Sequence, residues 1–403
     1  MIENQFTNSS IHELLGTFLG YPISHVTYTS LQRMQNYAAF GNAEFDILPT
    51  VTLKAGGRFT KAKRQARICS ADTSGEPKGT GAFFYDILLG GAFGPYIPGL
   101  CYAINDQAGP INGVPVGSPG EFVGRLNEHN FSWRTGVDWK PRREILIYAN
   151  IAKGYKAGSF PTVSASTFRQ YLSVQQESVL SYEAGFKLSI LNRLLQLNGS
   201  AFYYDYSNKQ LRSKVDQPPF GRIEVLQNIP KSKISGFELE ATARPFVGFV
   251  TSASFTYLDA KIKKFVGINS AGVSANFAGT RIPFTPKYQL NLNADYTAPL
   301  SNTLKGFVGT SVSYRSGTVA SVGGDINPPT TASSVSKPLL IGAYTLFDVR
   351  AGVSGPNDKW RFSLWGKNIF NTYYWNNVVT PYDTIVRYAG RPATYGASVS
   401  LRY

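Results

Sequence analysis

The sequence predicts an all-β chain, an antiparallel transmembrane β-barrel, partial, with about thirteen strands, short periplasmic turns and long extracellular loops. Three observations predict it. Apolar residues alternate with small or polar ones over one stretch after another, so each strand has one apolar face and one wet face. The connections alternate strictly between a few residues and twenty or more, as turns and loops do on the two rims of a membrane barrel. Finally, no run of eighteen apolar residues occurs, so a bilayer would be crossed by strands and not by a helix.

The elements follow in order. Strands are expected at 36–47 and 50–63, joined by Leu48-Pro49, then at 130–139 and 143–153, joined by Lys140-Pro141-Arg142. The next pairs are 181–190 with 194–206, joined by Leu191-Asn192-Arg193, and 232–243 with 249–259, joined by 244–248. They are followed by 286–297 with 303–315 and 343–353 with 359–370, joined by 299–302 and 355–358. Long connections are expected at 64–129, 154–180, 207–231, 260–285, 316–342 and 371–390. Along 143–153, Ile145, Ile147, Ala149 and Ile151 share one face, and Tyr148, Asn150 and Ala152 the other. Along 194–206, Leu195, Leu197, Ala201 and Tyr203 oppose Gln196, Asn198 and Ser200.

The final strand, 391–403, sets Ala393, Tyr395, Ala397, Val399, Leu401 and Tyr403 against Thr394, Gly396, Ser398, Ser400 and Arg402. A soluble sheet with one buried face gives the same alternation, and the rhythm of connections favours the membrane. A short helix is expected near Ser10 to Leu15, with Ser10 as its cap and Glu13 three residues on.

No linker or change of composition divides the 403 residues, so one architecture is expected over 36–403, with 1–35 an incomplete N-terminal loop segment. Met1 to Phe6 carries no basic segment followed by an apolar core of the secretory kind. Thirteen is odd, whereas bacterial single-chain barrels have even strand numbers. Both observations give the expectation that this chain is the C-terminal part of a longer one.

Seven segments carry a family resemblance: Asn36-Tyr-Ala-Ala-Phe-Gly-Asn42, Lys153-Gly-Tyr-Lys-Ala-Gly-Ser-Phe160, Ser181-Tyr-Glu-Ala-Gly-Phe-Lys187, Ala201-Phe-Tyr-Tyr-Asp-Tyr-Ser-Asn208, Gly236-Phe-Glu-Leu-Glu240, Lys367-Asn-Ile-Phe-Asn-Thr-Tyr-Tyr374 and Gly390-Arg-Pro-Ala-Thr-Tyr-Gly396. In this order, and ending on an aromatic residue, the chain resembles the C-terminal part of a TonB-dependent outer-membrane receptor. The resemblance implies an outer-membrane location and energised uptake of a scarce solute, most simply a ferric siderophore or similar iron chelate. It also implies that Tyr403 is the signal read by the barrel-assembly machinery, and that the TonB complex is met only through a plug. The family barrel has about twenty-two strands around that plug. Roughly nine strands, the plug, the TonB box and the signal peptide have no counterpart in this sequence. A different functional class remains open, a porin-like or adhesive surface barrel without energised transport.

Candidate site residues come from the residue pattern itself. Cys69 and Cys101 are the only cysteines and fall in one expected loop, where a disulfide would restrain the excursion. The alternatives are free thiols or a metal site, for which two thiolates without a nearby histidine are too few. Tyr203, Tyr257 and Tyr395 stand near the exposed ends of lipid faces, as an aromatic girdle would, or as ordinary strand-forming residues.

The net charge of +15 needs a destination. No basic helix, finger or RNA-binding aromatic motif is present, so nucleic acid is not the expected partner. Lys61 and Lys63 continue the lipid face of Leu53, Ala55 and Phe59, and Lys261 and Lys263 that of Ala253, Phe255 and Tyr257. They are candidate lipopolysaccharide contacts at the membrane surface, or simply solvated loop lysines.

Enzyme chemistry is not expected. His12, His25 and His129 are scattered, and His12-Glu13 lacks the second histidine of a zinc-protease helix. The glycines at 79–81 and 90–94 are too few for a nucleotide fingerprint, and no Gly-x-Ser-x-Gly elbow occurs. Neither a cofactor nor a catalytic or metal-binding residue is expected.

Overall fold

The computed structural model describes residues 2–5, 20–21, 25–216, 222–268, 273–325, 339–379 and 385–402. Its strands are β1 (Ile2–Gln5), β2 (His25–Leu48), β3 (Val51–Ala71), β4 (Phe122–Arg142), β5 (Ile145–Lys156), β6 (Glu177–Ile190) and β7 (Leu195–Asp216). They continue as β8 (Arg222–Ala243), β9 (Phe249–Lys264), β10 (Val266–Ile268), β11 (Ser274–Asn276), β12 (Tyr288–Pro299), β13 (Lys305–Arg315) and β14 (Thr318–Val319). The last are β15 (Leu340–Ile341), β16 (Tyr344–Ser354), β17 (Trp360–Lys367), β18 (Trp375–Val379), β19 (Val386–Ala389) and β20 (Thr394–Leu401).

Fourteen strands form one sheet in the order β1-β2-β3-β4-β5-β6-β7-β8-β9-β12-β13-β16-β17-β20. Every pairing in it joins strands successive in that order, and all are antiparallel. Each expected strand has its counterpart. Among the described residues no ladder joins β20 to β1 or β2, so the sheet has two edges. The remaining strands make three small hairpins, β10-β11, β14-β15 and β18-β19, in the long connections.

Registers run without interruption through the middle of each strand, so residue parity gives the face. The outward set is Leu53-Val137-Ala149-Ala184-Ala201-Phe237-Tyr257-Tyr288 along one path of direct pairs, and Leu290 pairs with Tyr314 on the same face. Toward the C-terminus it includes Val349, Ala351, Leu364, Phe362, Ala397 and Val399. Leu53, Phe131, Trp139, Ile147, Val308, Leu364 and Val399 on this face are all exposed. An apolar surface this extensive is not left to water. It is the height of a bilayer's hydrocarbon, since four or five outward residues per strand rise about 7 Å per step.

The structure corrects several boundaries. Residues 25–35 continue β2, whereas the sequence reading placed them in a loop segment. Much of 207–231, expected as a loop, is a hairpin extending β7 and β8 to the pair Asp216↔Arg222. Residues 64–71 and 122–129 likewise lengthen β3 and β4. Past the bilayer neither face has to be apolar, so these extensions lack the alternation that marks a spanning strand. The expected helix near Ser10 to Leu15, with His12, lies outside the described residues, as does Tyr403.

Candidate functional site: the inner wall and its loops

Facing away from the apolar band, the sheet is polar. The Lys54 ammonium lies 2.6 Å from the Asp138 carboxylate. The Tyr148 hydroxyl donates to Glu183 at 2.9 Å, Ser313 donates to Asn291 at 2.9 Å, and the Trp365 indole N–H donates to Ser398 at 3.1 Å. Arg350 pairs with Asp295. Charges and hydrogen-bonding groups on this face need water or polar partners and are costly in lipid. The inner wall is therefore the wet one. On β7 it also carries a ladder of rings: Phe202 stacks on Tyr204 at 4.8 Å, and the Lys209 ammonium lies 4.0 Å from the centre of the Tyr206 ring.

Toward the long-loop rim the same inner face turns into a protein core. Ala66 and Ile68 of β3 and Phe122 and Leu126 of β4 pack with Ala103, Phe160, Phe168 and Tyr171 from the connections after β3 and β5. The loops thus fold inward over the wall. Glu128 fixes one of them, accepting from the Gly158 N–H at 2.8 Å and the Gln176 N–H at 2.6 Å. Asn228 of β8 fixes it again, accepting from the Gln175 N–H at 2.8 Å and donating to the Gln175 carbonyl at 2.9 Å. Between this loop, the β7-β8 extension and β10 lies a cavity of about 540 Å³, bounded by Arg169, Leu172, Lys214, Gln227 and Val266. Its lining mixes the cationic Arg169 and Lys214 with the Asp216 carboxylate, amides and apolar side chains.

The residues singled out from the sequence lie as follows. Cys69 and Cys101 are joined by a disulfide with Cα atoms 5.2 Å apart. They do not share a loop: Cys69 belongs to β3, and the bond pins the following connection to that strand, where Cys101 bridges to Ala71. Tyr203 and Tyr257 lie on the outward face at the long-loop side of the band. Tyr182 meets Tyr203 at 6.4 Å, and Phe237, Tyr257 and Tyr288 follow with neighbouring centroids 5.5 Å apart. Tyr395 is outward too, its hydroxyl donating to the Ile369 carbonyl at 3.3 Å.

Lys61, Lys63 and Lys261 continue their strands' outward faces beyond these rings, and Lys263 lies at a register shift, where Lys231 pairs with Lys264. Sequence reasoning missed the charged groups around Lys261. On the same face Asp259 lies within ion-pair reach of both Lys261 and Lys233, and Asp205 forms a separate pair with Lys231. It also missed a second aromatic group at the short-turn rim, where Phe246 stacks on Phe249 at 5.0 Å and meets Tyr296 at 6.0 Å. Among the described residues no three His, Cys, Asp or Glu side chains gather as a metal-binding group.

Comparison with known proteins agrees with this geometry. Residues 4–369 match the family described as TonB dependent receptor-like, beta-barrel. A probable TonB-dependent siderophore receptor, PiuA of Acinetobacter baumannii, is 24% identical over 196 residues, which cover 46% of this chain and 25% of that protein. Among solved structures, the ferric yersiniabactin uptake receptor FyuA of Yersinia pestis superposes with a TM-score of 0.66 at 15% identity. That match covers 94% of this chain and 47% of FyuA. The ferric-catecholate import receptor Fiu of E. coli K12, in its closed form, gives 0.61 at 16% identity, over 92% of this chain and 45% of that one. At such identities the structural likeness shows the fold, and the chain spans about half the length of these solved relatives or less.

Proposed function

The chain belongs to the TonB-dependent receptor β-barrel family, an outer-membrane family of receptors and transporters, and from that premise we propose that it forms the C-terminal wall of a receptor for energised uptake of a ferric siderophore. The observation that carries this reading is the division of one sheet into an outer face with a charge-free apolar band and a polar inner face capped by inward-folded loops. A passive surface barrel needs the first two. The loop layer, with its cavity of about 540 Å³, supplies a place for a solute to be held before passage.

The two edges of the sheet would be completed by further strands, because unpaired backbone groups in lipid cost several kcal/mol each. In this reading the plug that closes the lumen and contacts the TonB complex is carried by a segment outside residues 1–403, and Tyr403 ends the strand that the barrel-assembly machinery engages. The siderophore assignment is supported by what the similar proteins are named for, ferric yersiniabactin and ferric catecholates.

The test is uptake of radio-iron siderophores by a strain lacking its own receptors, given either residues 1–403 behind a signal peptide or the same residues with their upstream coding sequence. TonB-dependent accumulation is expected only with the longer product. Accumulation that ignores TonB would indicate a porin-like barrel. TonB-dependent uptake by residues 1–403 alone would overturn the proposed division of labour.

A further inference from the structure

We propose that the outward faces of β7, β8 and β9, just beyond the aromatic belt, form a docking site for the phosphate groups of outer-leaflet lipids. The site begins where the apolar band stops. Tyr203, Ser235 and Asp259 are directly paired across the three strands, and the next outward row is Asp205, Lys233 and Lys261. Beyond it Lys231 stands opposite Ser207, to whose hydroxyl its ammonium donates at 2.8 Å. Each row is about 7 Å farther from the hydrocarbon, so the lysines fall in the headgroup layer and not in free solvent.

The arrangement is built on strands, which fixes the spacing of its charges. Lys233 and Lys261 face each other directly, a like-charge pair that disfavours the sheet unless an anion lies between. Asp259 supplies part of that anion, 3.2 Å from Lys261 and 4.0 Å from Lys233. Asp205 lies 4.0 Å from Lys231. On this face three lysines, Lys231, Lys233 and Lys261, meet two aspartates. The surplus is positive, and a multiply charged phosphate spanning Lys233 and Lys261 would neutralise it.

Lys287 extends the cationic edge along the belt, its ammonium 5.6 Å from the centres of both the Tyr257 and Tyr288 rings. Lys61 and Lys63 repeat the pattern on β3, one and two outward positions beyond Phe59. Anionic lipid surfaces attract clustered lysines in this way, and the attraction falls off within a Debye length, so the position of the lysines at the band's edge matters more than their number.

The inference does not depend on what solute the receptor takes, and its test measures no transport. The full 403-residue chain in detergent micelles is titrated with bisphosphorylated lipid A, with the same lipid A after removal of both phosphates, and with inorganic phosphate, and bound lipid is counted by native mass spectrometry. The bisphosphorylated lipid is expected to bind roughly tenfold tighter than the dephosphorylated one, with no saturable uptake of inorganic phosphate. Lys231→Gln/Lys233→Gln/Lys261→Gln should erase that preference, the triple arginine variant should keep it, and Lys305→Gln at the other rim should leave it unchanged. The single Lys233→Gln variant carries the test if the triple variant fails to fold. Equal binding of the two lipids, or an unaltered preference in the glutamine variants, would overturn the proposal. So would saturation by inorganic phosphate alone.

Discussion

Arg350 on β16 reaches Asp295 on β12 across an intervening strand. The three residues Asp295, Gly309 and Arg350 occupy one row, and the Arg350 Nε–H donates to the Asp295 Oδ1 at 3.0 Å over the glycine. A methyl group at Gly309 would stand 2.3 Å from that Oδ1 and 2.7 Å from the Arg350 Nε. The absence of a side chain at position 309 is therefore what lets two strands that do not touch share an ion pair on the wet face.

Gly309→Val is accordingly expected to break the pair. Both side chains are about a third or more exposed, 34% for Arg350 and 44% for Asp295, so the pair itself contributes no more than roughly 1 kcal/mol. Urea unfolding in micelles should show a modest loss of midpoint, matched by Asp295→Asn and not increased when the two are combined. Additive losses would mean that the glycine serves something other than this pair.

The Cys69–Cys101 disulfide closes a connection with a sequence separation of 32. On the loop-entropy account such a closure restrains the unfolded chain by about 3–4 kcal/mol. Peptide mapping without reductant should recover the two cysteines linked, and Cys69→Ser/Cys101→Ser should quicken proteolytic nicking within 72–121. Recovery of both as free thiols after oxidative folding would contradict the pairing.

Tyr96 gives this connection a pH limit. Its hydroxyl donates to the Leu100 carbonyl at 2.8 Å and accepts from the Asp72 N–H at 2.7 Å, and burial pushes the phenol up to about 12. The unfolded phenol ionises near 10. The contribution is thus fully present below about pH 10 and is lost as the pH rises through about 12. Phenolate absorbance of the wild type minus Tyr96→Phe should show one late-titrating group. A difference spectrum centred near 10 would show that the ring is not held as described.

The short turns are assigned to the periplasmic rim and the inward-folded loops to the cell surface. Cysteines introduced at Asn192 and Asn357 should resist a membrane-impermeant reagent on intact cells, whereas one at Ala92 should react. Reaction at Asn192 and Asn357 would invert the orientation.

Sequence reading reached the spanning strands because lipid on one side and water on the other impose a period of two. Ile147, Ala149 and Ile151 against Tyr148, Asn150 and Ala152 is a pattern that no other environment explains so simply once the connections are counted. The hairpin beyond Ser207 escaped because both of its faces meet water or protein. Asn208 adopts a positive φ of 55°, and Pro230 opposite it has no N–H to give the ladder. A turn-forming asparagine and a proline read as loop, yet the register resumes with Lys209 opposite Ile229. The lysine and aspartate rows escaped for a different reason: Asp205, Lys233 and Lys261 are brought side by side only by the registers of three strands. Gly309 could not have been read from sequence, because its role is set by two residues on neighbouring strands.

Between Ile145 and Ala152 of β5, odd-numbered residues face lipid and even-numbered ones face a wet lumen. Single cysteines at 145–152, placed in a Cys69→Ser/Cys101→Ser background, can be spin-labelled in bilayers and their collision rates with oxygen and with a water-soluble nickel chelate compared. Oxygen should dominate at Ile145, Ile147, Ala149 and Ile151 and the nickel chelate at Leu146, Tyr148, Asn150 and Ala152, with a period of two residues. Equal accessibility to the nickel chelate at both sets, or a period near 3.6, would contradict the membrane wall described here.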